Sequence, residues 1–119
     1  MPKDQHHLAA PLPESLVTET NQLIDDIRTN GVTKQKREEL YNTILKLTET
    51  GVDFFFLEPL RRMEAGPMLQ KMASMGISSM LKGTRMVIHN VVKKADDKHI
   101  EGILVFMEEI LFEPETATS

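Results

Sequence analysis

Cysteine and tryptophan are both missing from this 119-residue chain. Without cysteine there is no disulfide, no thiol nucleophile and no cysteine-ligated metal. The absence also fits a reducing compartment. Aromatic residues are few, five Phe and one Tyr, so aliphatic side chains and eight methionines must fill any core. That favours helices over sheets, whose strands draw on aromatic and β-branched residues. No run of about 18 uncharged apolar residues occurs, which argues against a transmembrane helix. The opening MPKDQHHLAAPLP holds no apolar stretch of signal-peptide length, and a cytoplasmic protein is expected. Phosphate-binding loops are missing too, because Gly66, Gly76 and Gly83 match neither the P-loop nor the dinucleotide fingerprint.

What remains is ordinary for one folded domain: 40% hydrophobic and 27% charged residues. The net charge of −4 is unevenly spread, at −4 over 1–59, +5 over 60–99 and −5 over 100–119. Such a basic middle suits either acidic neighbours in the same fold or an anionic partner. The first of these is the simpler expectation.

Helical spacing recurs along the chain. Residues 1–12 show no periodic pattern and are expected to be poorly ordered, with Leu8 and Leu12 as possible docking points. Pro13 to Asn30 reads as a first helix with Leu16, Val17, Thr20, Leu23, Ile24 and Ile27 inward, stopped by Asn30-Gly31. Thr33 is a good N-cap for a second helix that buries Leu40, Tyr41, Ile44, Leu45 and Leu47 or Thr48. Gly51 is its expected end. Asp53 then caps a kinked segment at 53–64, broken by Pro59 and carrying a Glu58–Arg62 pair at i,i+4. Four consecutive apolar residues, Phe54 to Leu57, cannot share one helical face. A last helix, capped by Asp96 or Asp97, carries Ile100, Ile103, Leu104, Met107, Ile110 and Leu111 inward and reaches Phe112. Residues 113–119 are expected to form a disordered tail. The fold class predicted is all-α: a small antiparallel bundle of four main helices in one domain over 13–112.

The longest element is the stretch from Gly66 to Lys94. Pro67 suits a first helical position. At about 100° per residue, Leu69, Ala73, Ile77, Met80, Val87, Ile88 and Val91 share a broad apolar face, opposite Lys71, Lys82, Arg85, His89 and Lys93. Met63, Met68, Met72, Met75, Met80 and Met86 lie within 24 residues, and Gly76 and Gly83 sit seven apart on one edge. An internal glycine costs a helix roughly 0.5–1 kcal/mol relative to alanine. Close packing is the natural reason for it. A neighbouring helix of the same chain is the first expectation, and a second copy or another protein the next. The methionine stripe is likewise read first as core.

No chemical constellation stands out. Asp96-x-x-His99 places a carboxylate and an imidazole on one helical face, but a di-iron bundle needs two Glu-x-x-His motifs and two more glutamates. A helix cap explains Asp96 better, so no metal or other cofactor is expected. Ser78-Ser79 lies mid-helix without a nucleophile elbow. Lysines without interleaved aromatics are a poor nucleic-acid signal. An amphipathic basic helix permits peripheral membrane contact, but its apolar face is needed for packing.

These features predict a non-enzymatic helical interaction module that self-associates as a dimer or binds another helical protein. The residues expected at that interface are Met72, Gly76, Met80, Gly83 and Val87, then Phe55 and Phe56. Lys71, Lys82 and Arg85 are the candidate contacts to an anionic partner. The alternative expectation is a bundle that holds a small apolar or anionic ligand between its helices, since methionine walls suit a flexible pocket.

Overall fold

A computed structural model describes His6 and residues 8–111. Five α-helices follow one another, with no strand among the described residues: α1 (Glu14–Asn30), α2 (Lys34–Val52), α3 (Glu58–Arg62), α4 (Pro67–Lys94) and α5 (Asp97–Ile110). One stretch of π-helix, Asp53–Leu57, joins α2 to α3. The expected all-α bundle of four main helices is present, with a fifth helical piece where the kinked segment was predicted. The tail at 113–119, and the predicted end of the last helix at Phe112, lie outside the described residues. So do residues 1–5 and 7 of the N-terminal segment. Leu8 is exposed, whereas Leu12 is half-buried.

The helix ends follow local chemistry. Gly31 closes α1 at φ 87° and donates its N–H to the Ile27 carbonyl at 2.9 Å. Thr33 Oγ1 accepts the Lys36 N–H at 3.1 Å and starts α2. Pro67 occupies the first turn of α4. Asp96 Oδ1 accepts the His99 N–H at 2.8 Å and starts α5.

Two expectations fail at the end of α2. Gly51 does not stop the helix, and Asp53 does not cap a new one. The backbone stays right-handed helical through Asp53, whose carboxylate instead receives the Arg61 guanidinium at 2.8 Å. Pro59 accounts for the wide turn. In a regular α-helix its ring would strike the Phe55 carbonyl and its missing N–H would leave that carbonyl unbonded. The chain relaxes here by a bond of one residue more, from the Glu58 N–H to the Asp53 carbonyl. Glu58 pairs with Arg62 at 3.3 Å, as its spacing predicts, and with Arg61 at 2.9 Å.

Cross-helix pairs fix the register. Lys46–Glu19 (2.9 Å) and Lys36–Asp26 run α1 against α2 antiparallel. Arg85–Glu49 (2.7 Å) does the same for α2 and α4. Arg37 Nη1, farther back on α2, donates to the Val92 and Ala95 carbonyls at 2.8 and 2.6 Å and ties down the end of α4. Arg28 of α1 lies between Glu101 and Glu108 of α5, at 2.9 and 2.7 Å.

Between these pairs lies a core of Leu23, Ile24, Ile27, Leu40, Val92, Ile100, Leu104 and Met107. Complete burial of a leucine such as Leu40 or Leu104 contributes roughly 1.5–3 kcal/mol. Thr20 is buried with its hydroxyl donated to the Leu16 carbonyl at 2.7 Å. Thr43 is buried as well, and no buried side-chain nitrogen or oxygen among the described residues lacks a partner.

The central helix turns a different side inward from the one predicted. Val92 alone is fully buried on α4, with Ala73, Ile77, Leu81 and Ile88 half-buried beside it. Leu69, Met80, Val87 and Val91, assigned to the inward face, are exposed. Acidic residues on α2 face the side turned inward. Glu49 holds Arg85, and Glu38 approaches His89 at 3.8 Å while the Tyr41 ring packs edge-on against the same imidazole at 5.0 Å. These contacts lie on the side of α4 that faces the bundle, and the methionines lie outward.

Candidate interaction surface

The outer face of α4 is a long apolar strip. A 28-residue helix extends about 42 Å. Along it Met68, Leu69, Met72, Met75, Met80, Met86 and Val87 are all exposed, Met68 at 78% and Met72 at 64%. Single exposed apolar residues are normal on a soluble protein, but a contiguous strip of them marks a contact site. The expectation that these methionines form core is therefore overturned. In the first five turns of α4 no side chain is fully buried.

Gly76 and Gly83 lie within this strip. A Cβ placed on either would meet no atom of the chain within 4 Å. Packing of a neighbouring helix from the same chain, the first expectation, does not explain them. Neither has a positive φ, a property confined to Gly31 among the described glycines. No backbone demand explains them either.

Of the candidate cations, Arg85 is paired with Glu49. Lys71 and Lys82 are exposed and pair with no carboxylate among the described residues. With Lys93 they recur every 11 residues and so run down one flank of the strip. Phe55 and Phe56 occupy the π-helical turn, exposed at 39% and 58%. Phe54 packs edge-on against Phe55 at 5.4 Å and lies beneath the Arg62 guanidinium at 6.0 Å. Arg61 binds Asp53 and Glu58 in this turn and holds both carboxyls below their usual range.

The turn before α4 contains a feature that sequence reasoning missed. Glu64 has φ 56°. Its N–H donates to the Arg61 carbonyl at 3.1 Å and the Ala65 N–H to the Leu60 carbonyl at 3.0 Å. This is a Schellman closure of α3 with a glutamate in the left-handed position that glycine normally fills. Its spacing gave no signal, because the glycine that marks such a cap in sequence stands two residues later, at Gly66.

Among the clefts are two that border α4. One of about 680 Å³ lies between α1, α2 and α4, lined by Leu16, Leu57, Ile77 and Leu81 and by the Glu19–Lys46 and Glu49–Arg85 pairs. Ser74 and Ser78 reach it, with no histidine in its wall. The second, of about 400 Å³, is a groove of Ile44, Leu47, Val87, Val91, Ile103 and Phe106 between α2, α4 and α5. Compared with protein-family models, curated proteins and solved structures, the chain matches none. Its function must be argued from these surfaces.

Asp96 and His99 come together, with Nδ1 3.1 Å from Oδ1, but the same carboxylate oxygen caps α5. No three His, Asp or Glu side chains converge among the described residues. No helix among them is long and apolar enough to cross a membrane.

Proposed function

We propose that this protein is a non-enzymatic helical interaction module whose docking surface is the outer face of α4, and that it self-associates through that face. One observation carries the proposal. The strip from Met68 to Val87 is apolar and exposed, and it contains two glycines that pack against nothing in their own chain. A helix that tolerates two unfavourable residues on its apolar exposed side is built to receive another backbone closely. Methionine suits that role, because its flexible thioether fits an opposing surface without fixed shape. The missing cysteines favour work in the reducing cytoplasm.

Native mass spectrometry of the untagged protein, with a denatured control, tests this directly. The expected result is a species of twice the 13.5 kDa chain mass with nothing else bound. A bare monomer at high micromolar concentration would remove self-association.

The almost wholly apolar groove between α2, α4 and α5 favours a second reading, a small apolar ligand. Its volume of about 400 Å³ falls within the range of about 300–1,000 Å³ typical of ligand sites. A monomer with a co-purifying mass of a few hundred daltons would be its signature.

A further inference from the structure

We infer that the occupant of the α4 strip is a second copy of this chain, packed antiparallel about a two-fold axis passing between Ser79 and Met80. The inference rests on the self-association reading above and adds the orientation and the register of the two copies.

A compact monomer of 13.5 kDa exposes roughly 6,500 Å², whereas this chain exposes 8809 Å². Residues ahead of α1 supply part of the surplus, since Leu8 is 86% exposed. The unpartnered length of α4 supplies more. A stable dimer buries about 800 Å² per partner, and a helical strip running from Met68 to Val91 for about 35 Å is suited to that. The bundle packs on α4 at Ile88 and Val92, while at Val87 and Val91 the strip borders the groove of Ile103 and Phe106, which a facing copy would cover.

About an axis between Ser79 and Met80, Gly76 of one copy faces Gly83 of the other. Met72 faces Val87, and Met68 faces Val91. Both glycines of each copy are then used at once, which their packing against nothing in the monomer otherwise leaves without purpose.

The same axis brings Lys94 of one copy to the Glu64–Ala65 turn of its mate. Lys94 pairs with no carboxylate among the described residues, nor Glu64 with any cation. Glu64 holds a left-handed backbone position that glycine would occupy more easily. A residue held in a strained backbone position motivates a use for its side chain, and a lysine from the second copy supplies one. A parallel pair would instead bring each Lys93–Lys94 end against its own copy and would leave Glu64 without a cation. It would also align two helix dipoles unfavourably. One term opposes the antiparallel pair. Lys71, Lys82 and Lys93 of both copies share a rim, roughly 7–9 Å apart along the axis. That spacing is close to the Debye length of about 8 Å at physiological ionic strength, so much of the repulsion is screened.

Two experiments test this. Because the chain has no cysteine, Met72→Cys and Val87→Cys each introduce a unique thiol at an exposed position. Mild oxidation should cross-link the mixture of the two variants and neither variant alone, since like positions in an antiparallel pair lie about 22 Å apart along the axis. Should either variant lose its helical circular dichroism, Met68→Cys with Val91→Cys probes the same register. Cross-linking of Met72→Cys or Val87→Cys to itself would overturn the antiparallel arrangement.

Charge reversal is the second experiment. Glu64→Lys or Lys94→Glu alone should weaken dimerisation about five- to tenfold, and the double variant should restore it. Independent, additive losses would overturn the register. A wild-type monomer that co-sediments with phosphatidylserine vesicles would replace the second copy with a lipid surface. A wild-type monomer that a photocrosslinker at Met75 joins to a different polypeptide would overturn the second copy and keep the interaction reading. A monomer joined to neither would overturn both.

Discussion

Alanine at both Gly76 and Gly83 is expected to stabilise the isolated chain and so to separate folding from association. Both glycines lie inside a helix with ordinary backbone angles, and a Cβ at either touches nothing. Each exchange gains the helix propensity of alanine, about 0.5–1 kcal/mol, with no steric loss. The sites are about 10 Å apart along the axis, so the gains should add to about 1–2 kcal/mol. With an unfolding entropy of about 2.1 cal/mol/K per residue over 119 residues, Tm should rise by about 4–8 °C. The assay is thermal unfolding by circular dichroism, at a concentration low enough that wild type is monomeric and association adds nothing to Tm. Leucine at the same two positions keeps the helix gain but sets two bulky side chains on the strip. Sedimentation should then show association weakened at least about tenfold, a loss of about 1.4 kcal/mol. An alanine pair with unchanged or lower Tm would mean that the glycines pack within the chain, and the reasoning would fail at its first step. A leucine pair that associates like wild type would remove the glycines from the interface.

Core and strip should respond oppositely to truncation. Leu104→Ala, at a fully buried site, should cost about 2–5 kcal/mol in urea unfolding, while Met72→Ala at low concentration should stay within about 0.5 kcal/mol and lose affinity instead. Glu64→Gly relieves the left-handed backbone position and should raise monomer stability by about 1 kcal/mol in the same titration while weakening the dimer. Acid should destabilise the fold. Arg28 holds the Glu108 carboxyl below its ordinary 4.5, Lys36 holds Asp26 below 3.8 and Arg61 holds Asp53 below 3.8. A carboxyl with a depressed folded pKa adds stability that is complete above its ordinary value and lost as pH falls through the depressed one. Tm should thus be level above about pH 5 and decline through the region below 4.5 and 3.8, with Arg28→Ala removing the Glu108 share of that acid limb.

Helix boundaries were legible wherever a cap is chemical. Thr33, Asp96, Gly31 and Pro67 each act through an oxygen, a permitted backbone angle or a missing N–H that residue type alone supplies. Gly51 misled for the same reason in reverse. Glycine permits a stop but does not require one, and the true accommodation came eight residues later, where Pro59 forces a wide turn. Inward faces of α1 and α5 were legible because each carries one apolar stripe against polar flanks. Leu16, Leu23, Ile24 and Ile27 are buried as expected, and so are Ile100, Leu104 and Met107.

Apolar residues nearly encircle α4, so periodicity could not choose its inward side. The choice went to the side of Val92, Ile88 and Leu81, where Glu49 and Glu38, far away in sequence, also engage Arg85 and His89 across the helix pair. This choice gives the remaining methionines their meaning. With Arg85 and His89 held at the bundle, Met68, Met72, Met75 and Met86 must face outward, and the two glycines with them. A helix rotated the other way would have buried the methionines, leaving no apolar strip for a second chain. On the proposed reading, the α2 carboxylates bear on association only through the orientation of α4. Weakening Arg85–Glu49 should cost the monomer little, as an exposed pair, yet loosen the orientation in which α4 presents its strip.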